Sequence, residues 1–291
     1  MREQIIEALR NRDMVIETIN KNGVILTGVH RRMNGAGTCA TIYVEDFVEK
    51  RFPYDEFEGS DKEYVNHVVN AMIDFLEEHD AKAVQFDMKE LTTPEYILSH
   101  AKVALFKDIA DGITYNEWLD GLKEIVYVVV GEASNGIGSY KMTDANLAAS
   151  GIDRDELFKA ARRNTADAIS FTDMLAMMNA FEMFGTLDSP EIEIDEDTPD
   201  GMYTLGITSH INGAGVICSP EVVDTLKLLG DVILIPSSVH EWIVLKGEQF
   251  TYSVDYIKEL CEMVNSTQVL PEEKLSDTIF KLTAEGIVKI A

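Results

Sequence analysis

The stretch that most constrains the fold runs from Val232 to Leu245. Two short segments, Val232–Ile235 and Glu241–Leu245, flank Pro236-Ser237-Ser238-Val239-His240. Apolar runs this brief fit buried strands better than packed helices. The proline and paired serines interrupt them with residues that satisfy turn backbone groups. The reading is a tight turn between two buried strands, so the chain has to build a sheet with a covered face.

The remaining sequence predicts helices around such sheets. Residues 2–11 place Ile5, Ile6 and Leu9 on one face, which reads as a short opening helix. Met14–Ile19 and Val24–Val29 flank Asn22-Gly23, a pair that tolerates the positive φ of a hairpin turn. A glycine-rich loop at Asn34–Gly37 leads to a strand over Cys39–Val44. Residues 61–79 repeat apolar side chains at helical spacing, from Val65 to Leu76, behind a Ser60/Glu63 capping box. Pro94 opens a further helix, Val103–Phe106 reads as a strand, and Ile125–Val130 as a buried strand. Asp153–Arg163 and the Met-rich Thr172–Phe184 read as helices, the methionines as core packing.

Between Asp188 and Asp200 stand seven acidic residues and no basic one, which suggests a linker or mobile loop. The spacing of a calcium loop is absent there. The last third adds a strand at Tyr203–Thr208, helices at Ser219–Leu229 and Val254–Val264, and a strand or helix at Lys274–Leu282. Strands and helices without regular βαβ alternation give the α+β class, with mixed or antiparallel sheets and packed helices. Two subdomains are expected, residues 1–122 and 123–291.

Charge narrows the partners. The chain carries 25 basic and 51 acidic residues, a formal net charge of -26. Such a surface repels phosphate backbones and anionic lipid, so no direct nucleic-acid or membrane binding is expected. It suits a basic protein partner, or mimicry of a nucleic acid on such a partner; the plain reading is solubility. Cys39, Cys218 and Cys261 show no ligand or disulfide spacing, and neither a metal nor another cofactor is expected. With no signal-peptide pattern and no apolar run of about 20 residues, the expected compartment is the cytoplasm. The Asn265-Ser266-Thr267 sequon is then without consequence.

Candidate site residues cluster in the last third. His240-Glu241 lacks the second histidine of a His-Glu-x-x-His zinc helix. Within a strand its two side chains would point to opposite faces, whereas Ser238 and His240 would share one. That makes Ser238 and His240 the candidate nucleophile and base, although no orienting acid or Gly-x-Ser-x-Gly elbow accompanies them. The competing reading is that Ser237 and Ser238 satisfy the turn while His240 donates to a carbonyl or carboxylate.

His210 precedes Asn212-Gly213-Ala214-Gly215, a small-residue loop whose amides could hold an anion. Residues 131–138 are glycine-rich too, but Glu132 opposes phosphate. His210, Asn212, Ser237, Ser238, His240 and Glu241 are therefore the candidate binding residues. Asn164 and Asn265 read as helix C-caps, and Trp118 and Trp242 as core or pocket wall.

Several blocks in fixed order make the chain similar to a bacterial family of unknown function, DUF5688. They are Asn22–Val24 with Leu26-Thr27-Gly28; Thr41–Asp46; Ala161–Thr165; Ile235–Glu241; and Val264–Thr267 with Leu275–Asp277. One departure is Ile207-Thr208-Ser209, where the family pattern has Leu-Thr-Asn. The resemblance implies no activity. The expected function is a non-catalytic binding or regulatory protein acting through a protein surface. A hydrolase using Ser238 and His240 is the alternative, and a nucleic-acid-mimicking inhibitor the third reading.

Overall fold

The computed structural model describes residues 1–32, 40–80, 88–133, 136–184, 190–251 and 254–291. These form two compact units, one comprising residues 1–92 with 130–138, the other residues 93–129 with 139–291. The glycine-rich loop at 34–37, Cys39 and residues 134–135 lie outside the described residues.

In the first unit, helix α1 (Arg2–Arg10) precedes strands β1 (Val15–Lys21), β2 (Val24–His30) and β3 (Ile42–Tyr43). The strands pair antiparallel in the order β1-β2-β3. Asn22 and Gly23 turn the hairpin with φ of 54° and 84°, which asparagine tolerates and glycine, lacking a Cβ, adopts freely. Helices α2 (Val44–Arg51), α3 (Asp61–Asp80) and the short α4 (Met88–Leu91) follow. The capping box forms: the Ser60 amide donates to Glu63 Oε2 at 2.8 Å. Behind it, Val68, Val69, Met72 and Leu76 of α3 meet Ile5 and Leu9 of α1 in one apolar core.

The second unit opens with α5 (Pro94–His100), capped by Thr93. Next come β4 (Ala101–Phe106), β5 (Tyr115–Glu117), β6 (Lys123–Ala133) and β7 (Gly136–Lys141), the last four residues of β6 and the first three of β7 being counted with the first unit; β6 pairs with the other three strands. Helices α6 (Asp144–Ser150) and α7 (Arg154–Ala166) lead to β8 (Ile169–Asp173), α8 (Met174–Phe184) and β9 (Gly201–Ile207). A 3-10 turn at Gly213–Cys218 and helix α9 (Pro220–Leu226) follow. The chain finishes with β10 (Val232–Pro236), β11 (Trp242–Lys246), α10 (Glu248–Thr251), α11 (Val254–Thr267), β12 (Phe280–Thr283) and β13 (Gly286–Lys289).

The last six strands form one antiparallel sheet in the order β13-β12-β10-β11-β9-β8. Three antiparallel sheets with packed helices make the fold α+β. Among the described residues no helix is long and apolar enough to cross a membrane.

The structure departs from the sequence expectations where tertiary pairing decides. A cut after Leu122 would sever β6 from β4, its partner from Ala101↔Val128 to Phe106↔Lys123. Thr172 and Asp173 belong to β8 rather than to a helix, because they pair with Thr204 and Tyr203. Residues 190–200 are no free linker. Glu191 bridges Thr172, the Ile192 amide donates to Phe171 O at 2.8 Å, and Ile194 and Thr198 are buried. Isoleucines alternating with the acids hold this segment on the sheet edge.

Candidate functional site

The Gly213–Cys218 turn organises the second unit. It packs on β9, β4, α7 and α9, and its six residues are all buried. Glycine is required there for space. A Cβ at Gly213 would lie 2.4 Å from His240 O and 2.8 Å from Ile207 N, and one at Gly215 would lie 2.3 Å from Val103 O. Asn212 opens the turn with φ 58°, a conformation Asn tolerates. The Ala214 amide donates to Val239 O at 3.2 Å, the Gly215 amide to Asn212 O at 3.3 Å, and the Asn212 amide to His240 Nδ1 at 3.1 Å. Three of the loop amides that could have cradled an anion, those of Asn212, Ala214 and Gly215, are thus committed to the fold.

These contacts position the β10–β11 turn. Val239 is buried, its amide donates to Glu273 O at 2.8 Å, and its carbonyl accepts from Ala214. Trp242, fully buried, donates its indole N–H to Ala214 O at 2.8 Å. His240 accepts the Asn212 amide on Nδ1, which leaves its proton on Nε2, 3.5 Å from Glu273 Oε1. Ser238 Oγ accepts the backbone N–H of His240 at 3.0 Å, a local turn bond. Ser238 and His240 are therefore joined through the backbone of the turn, and both ring nitrogens face other residues.

Beside this turn a cleft of about 140 Å³ opens on one face of the six-stranded sheet. Register explains its floor. Thr172 pairs with Thr204 and Ser170 with Gly206, so these alternate residues share a face. The Thr172 and Thr204 hydroxyls bond each other at 2.5 Å. Gly206 leaves room for Glu241, whose Cβ stands 3.7 Å from where a Gly206 Cβ would be. His210, His240, Glu191 and Met177 of α8 also line it.

Both His240 and Glu241 line the cleft, contrary to the strand-based expectation, because β11 begins only at Trp242 and the turn before it is free of strand alternation. Burial pushes the Glu241 carboxyl above its usual range, against the opposing pull of His210 and His240.

The sequence candidates thus divide. His210, His240 and Glu241 meet at the cleft, whereas Asn212 and Ser238 support it and Ser237 lies half-buried in the turn. Among the described residues, no group of three or more His, Cys, Asp or Glu is placed to hold a metal ion. Sequence reasoning missed Ser170, Thr172, Thr204, Glu191, Met177 and Glu273. The alternation Ser170-Phe171-Thr172 was the available signal for an accessible polar strand face.

A family model described as a family of unknown function, DUF5688, matches residues 1–282. The chain belongs to this family. No curated protein and no solved structure matches it.

The blocks that carried the resemblance to DUF5688 are cross-links in this structure. The Thr27 amide and hydroxyl donate to Glu45 at 3.0 and 2.9 Å, and Arg2 joins them. Burial would raise the Glu45 carboxyl, but the Thr27 and Arg2 donors hold it below its usual range. Arg162 donates from Nε and Nη2 to the two carboxylate oxygens of the buried Glu124, at 2.6 and 2.5 Å. Asn164 donates to Leu98 O and Ala101 O, and Thr165 Oγ1 accepts the Val103 amide.

Asn265 donates to Ser276 O and Asp277 Oδ1. Asn164 and Asn265 lie inside α7 and α11, so they act as side-chain ties and not as C-caps. Ser209 has a buried hydroxyl with no hydrogen-bond partner among the described residues.

Proposed function

We propose that this DUF5688 chain is a non-catalytic binding protein that acts through a protein surface, its cleft receiving a basic side chain of the partner. The observation that carries the reading is Glu241, its carboxyl pushed up by burial at the edge of a hydroxyl-lined recess. Glu191 lines it too, and among the described residues no lysine or arginine does. An ammonium or guanidinium brings only donors, which suits carboxylates and hydroxyl oxygens. The net charge of -26 would draw such a partner in. The turn's own chemistry supports binding over catalysis, since Ser238 Oγ accepts from the backbone of His240 and Nδ1 of that ring accepts from Asn212.

The test is an NMR titration with N-acetyl-arginine amide, N-acetyl-lysine amide and the uncharged N-acetyl-norleucine amide. The basic probes should shift amides of residues 204–210 and 240–241 with millimolar affinity, and Glu241→Gln should weaken them by about tenfold. Equal binding of the norleucine probe, or no effect of Glu241→Gln, overturns the reading. Ser238-dependent hydrolysis of p-nitrophenyl acetate would replace it with the enzyme alternative.

A further inference from the structure

Helix α11 is amphipathic in a way that its contacts within the unit do not use up. Ile257 and Cys261 pack inward with Ile233, Ile235, Leu245 and Ile279, and Asn265 is buried on the same side. A helix that only covered a sheet would be polar elsewhere. Here Tyr256, Leu260, Met263 and Val264 remain 66%, 43%, 54% and 38% exposed. They recur at i, i+4, i+7 and i+8, so they form one row along the helix, and that row borders the buried face. On the other side of the row run Asp255, Glu259 and Glu262, also at i, i+4 and i+7 and all exposed. The outer surface of α11 is therefore an apolar row edged by a carboxylate row.

We infer that α11 is the docking surface for an amphipathic helix of a protein partner, one that carries apolar anchors beside a flank of Lys or Arg. The inference rests on the binding-protein reading above and specifies the partner's chemistry. The apolar row supplies anchoring positions at the spacing helix-in-groove recognition uses. The acidic row fixes the sign of the partner's flank and its orientation. A second copy of the chain fits poorly, because it would bring another -26 charge and a second acidic row to the same contact. Anionic lipid is disfavoured by the same charge.

The experiment uses the full chain and a labelled peptide of about 15 residues, with Leu at helical spacing and Lys along one neighbouring flank. A scrambled peptide of the same composition controls for general charge attraction. Fluorescence anisotropy should give micromolar binding of the amphipathic peptide, at least about tenfold tighter than the scrambled one. Leu260→Asp with Met263→Asp should remove that difference. Both positions are exposed, and an unchanged melting curve will show that the fold persists.

Glu259→Lys with Glu262→Lys should transfer the preference to a peptide with Glu in place of Lys. Glu241→Gln should leave peptide binding intact, and the Asp pair should leave the arginine-probe shifts at the cleft intact, so the two readings fail separately. Equal binding of scrambled and amphipathic peptides, or wild-type affinity in the Asp pair, overturns the inference. So does a dimer that Leu260→Asp dissolves, or binding to phosphatidylglycerol vesicles that depends on Leu260.

Discussion

Gly213→Ala tests the claim that the small-residue turn exists for close approach. The added methyl would sit 2.4 Å from His240 O, 2.8 Å from Ile207 N and 3.1 Å from Gly206 Cα. Ordinary contact begins near 3.4 Å, so the turn and the β10–β11 segment would have to part by about 1 Å. All three neighbours are backbone, and no rotamer change relieves the clash. Overpacking of a filled core costs about 1–3 kcal/mol, and backbone on every side puts this case near 3 kcal/mol.

The assay is urea unfolding followed by tryptophan fluorescence. Trp118 and Trp242, the only 2 tryptophans, both belong to the second unit and lie 5.8 Å apart, so the signal reports that unit alone. With a urea slope of about 2 kcal/mol per molar, the midpoint should fall by roughly 1.5 M. Gly112→Ala is the control, since its φ of +80° strains alanine but nothing lies within 4 Å. It should cost about 1 kcal/mol. A Gly213→Ala midpoint equal to wild type, or above that of Gly112→Ala, would refute the steric argument.

Two further outcomes follow from buried charge. Glu124 is 1% exposed and held by Arg162 and Asn116, so Glu124→Ala strands both donors and should cost about 3 kcal/mol in the same assay, while Glu124→Met with Arg162→Met recovers most of that loss. The Glu241 carboxyl titrates above its unfolded value of about 4.3, so its penalty is absent below that pH and grows as pH rises toward its folded value. Glu241→Gln should therefore gain stability over wild type as pH rises above about 4.3, and melting curves showing a constant or shrinking difference as pH rises through that value would contradict the burial.

Local signals in the sequence were legible where the chemistry is local. Asn22-Gly23 announced its hairpin, Ser60 and Glu63 their cap, and the residues around Pro236 their turn. What escaped depends on which strands pair. Thr172 and Thr204 stand 32 residues apart and share a hydrogen bond only because β8 and β9 are in register. The start of β11 at Trp242 decided that His240 and Glu241 face one cleft, and no spacing rule places that boundary. Asn164 and Asn265 resembled caps because they sit near helix ends, yet their amides reach partners on other segments. The acidity of residues 190–200 hid two isoleucines that pin the segment down.

The strand order carries a consequence for synthesis. Strand β10 is buried along its whole length and lies between β11 and β12. β11 follows it directly, but β12 is not made until Phe280 has been added. At about 5–20 residues per second, the interval is a few seconds. During that time Val232–Pro236 exposes an apolar edge with unmet hydrogen bonds on the nascent chain. The chain has to keep that edge from other strands until residues 280–283 emerge, so truncation before Phe280 should yield an aggregating protein and not a smaller folded one.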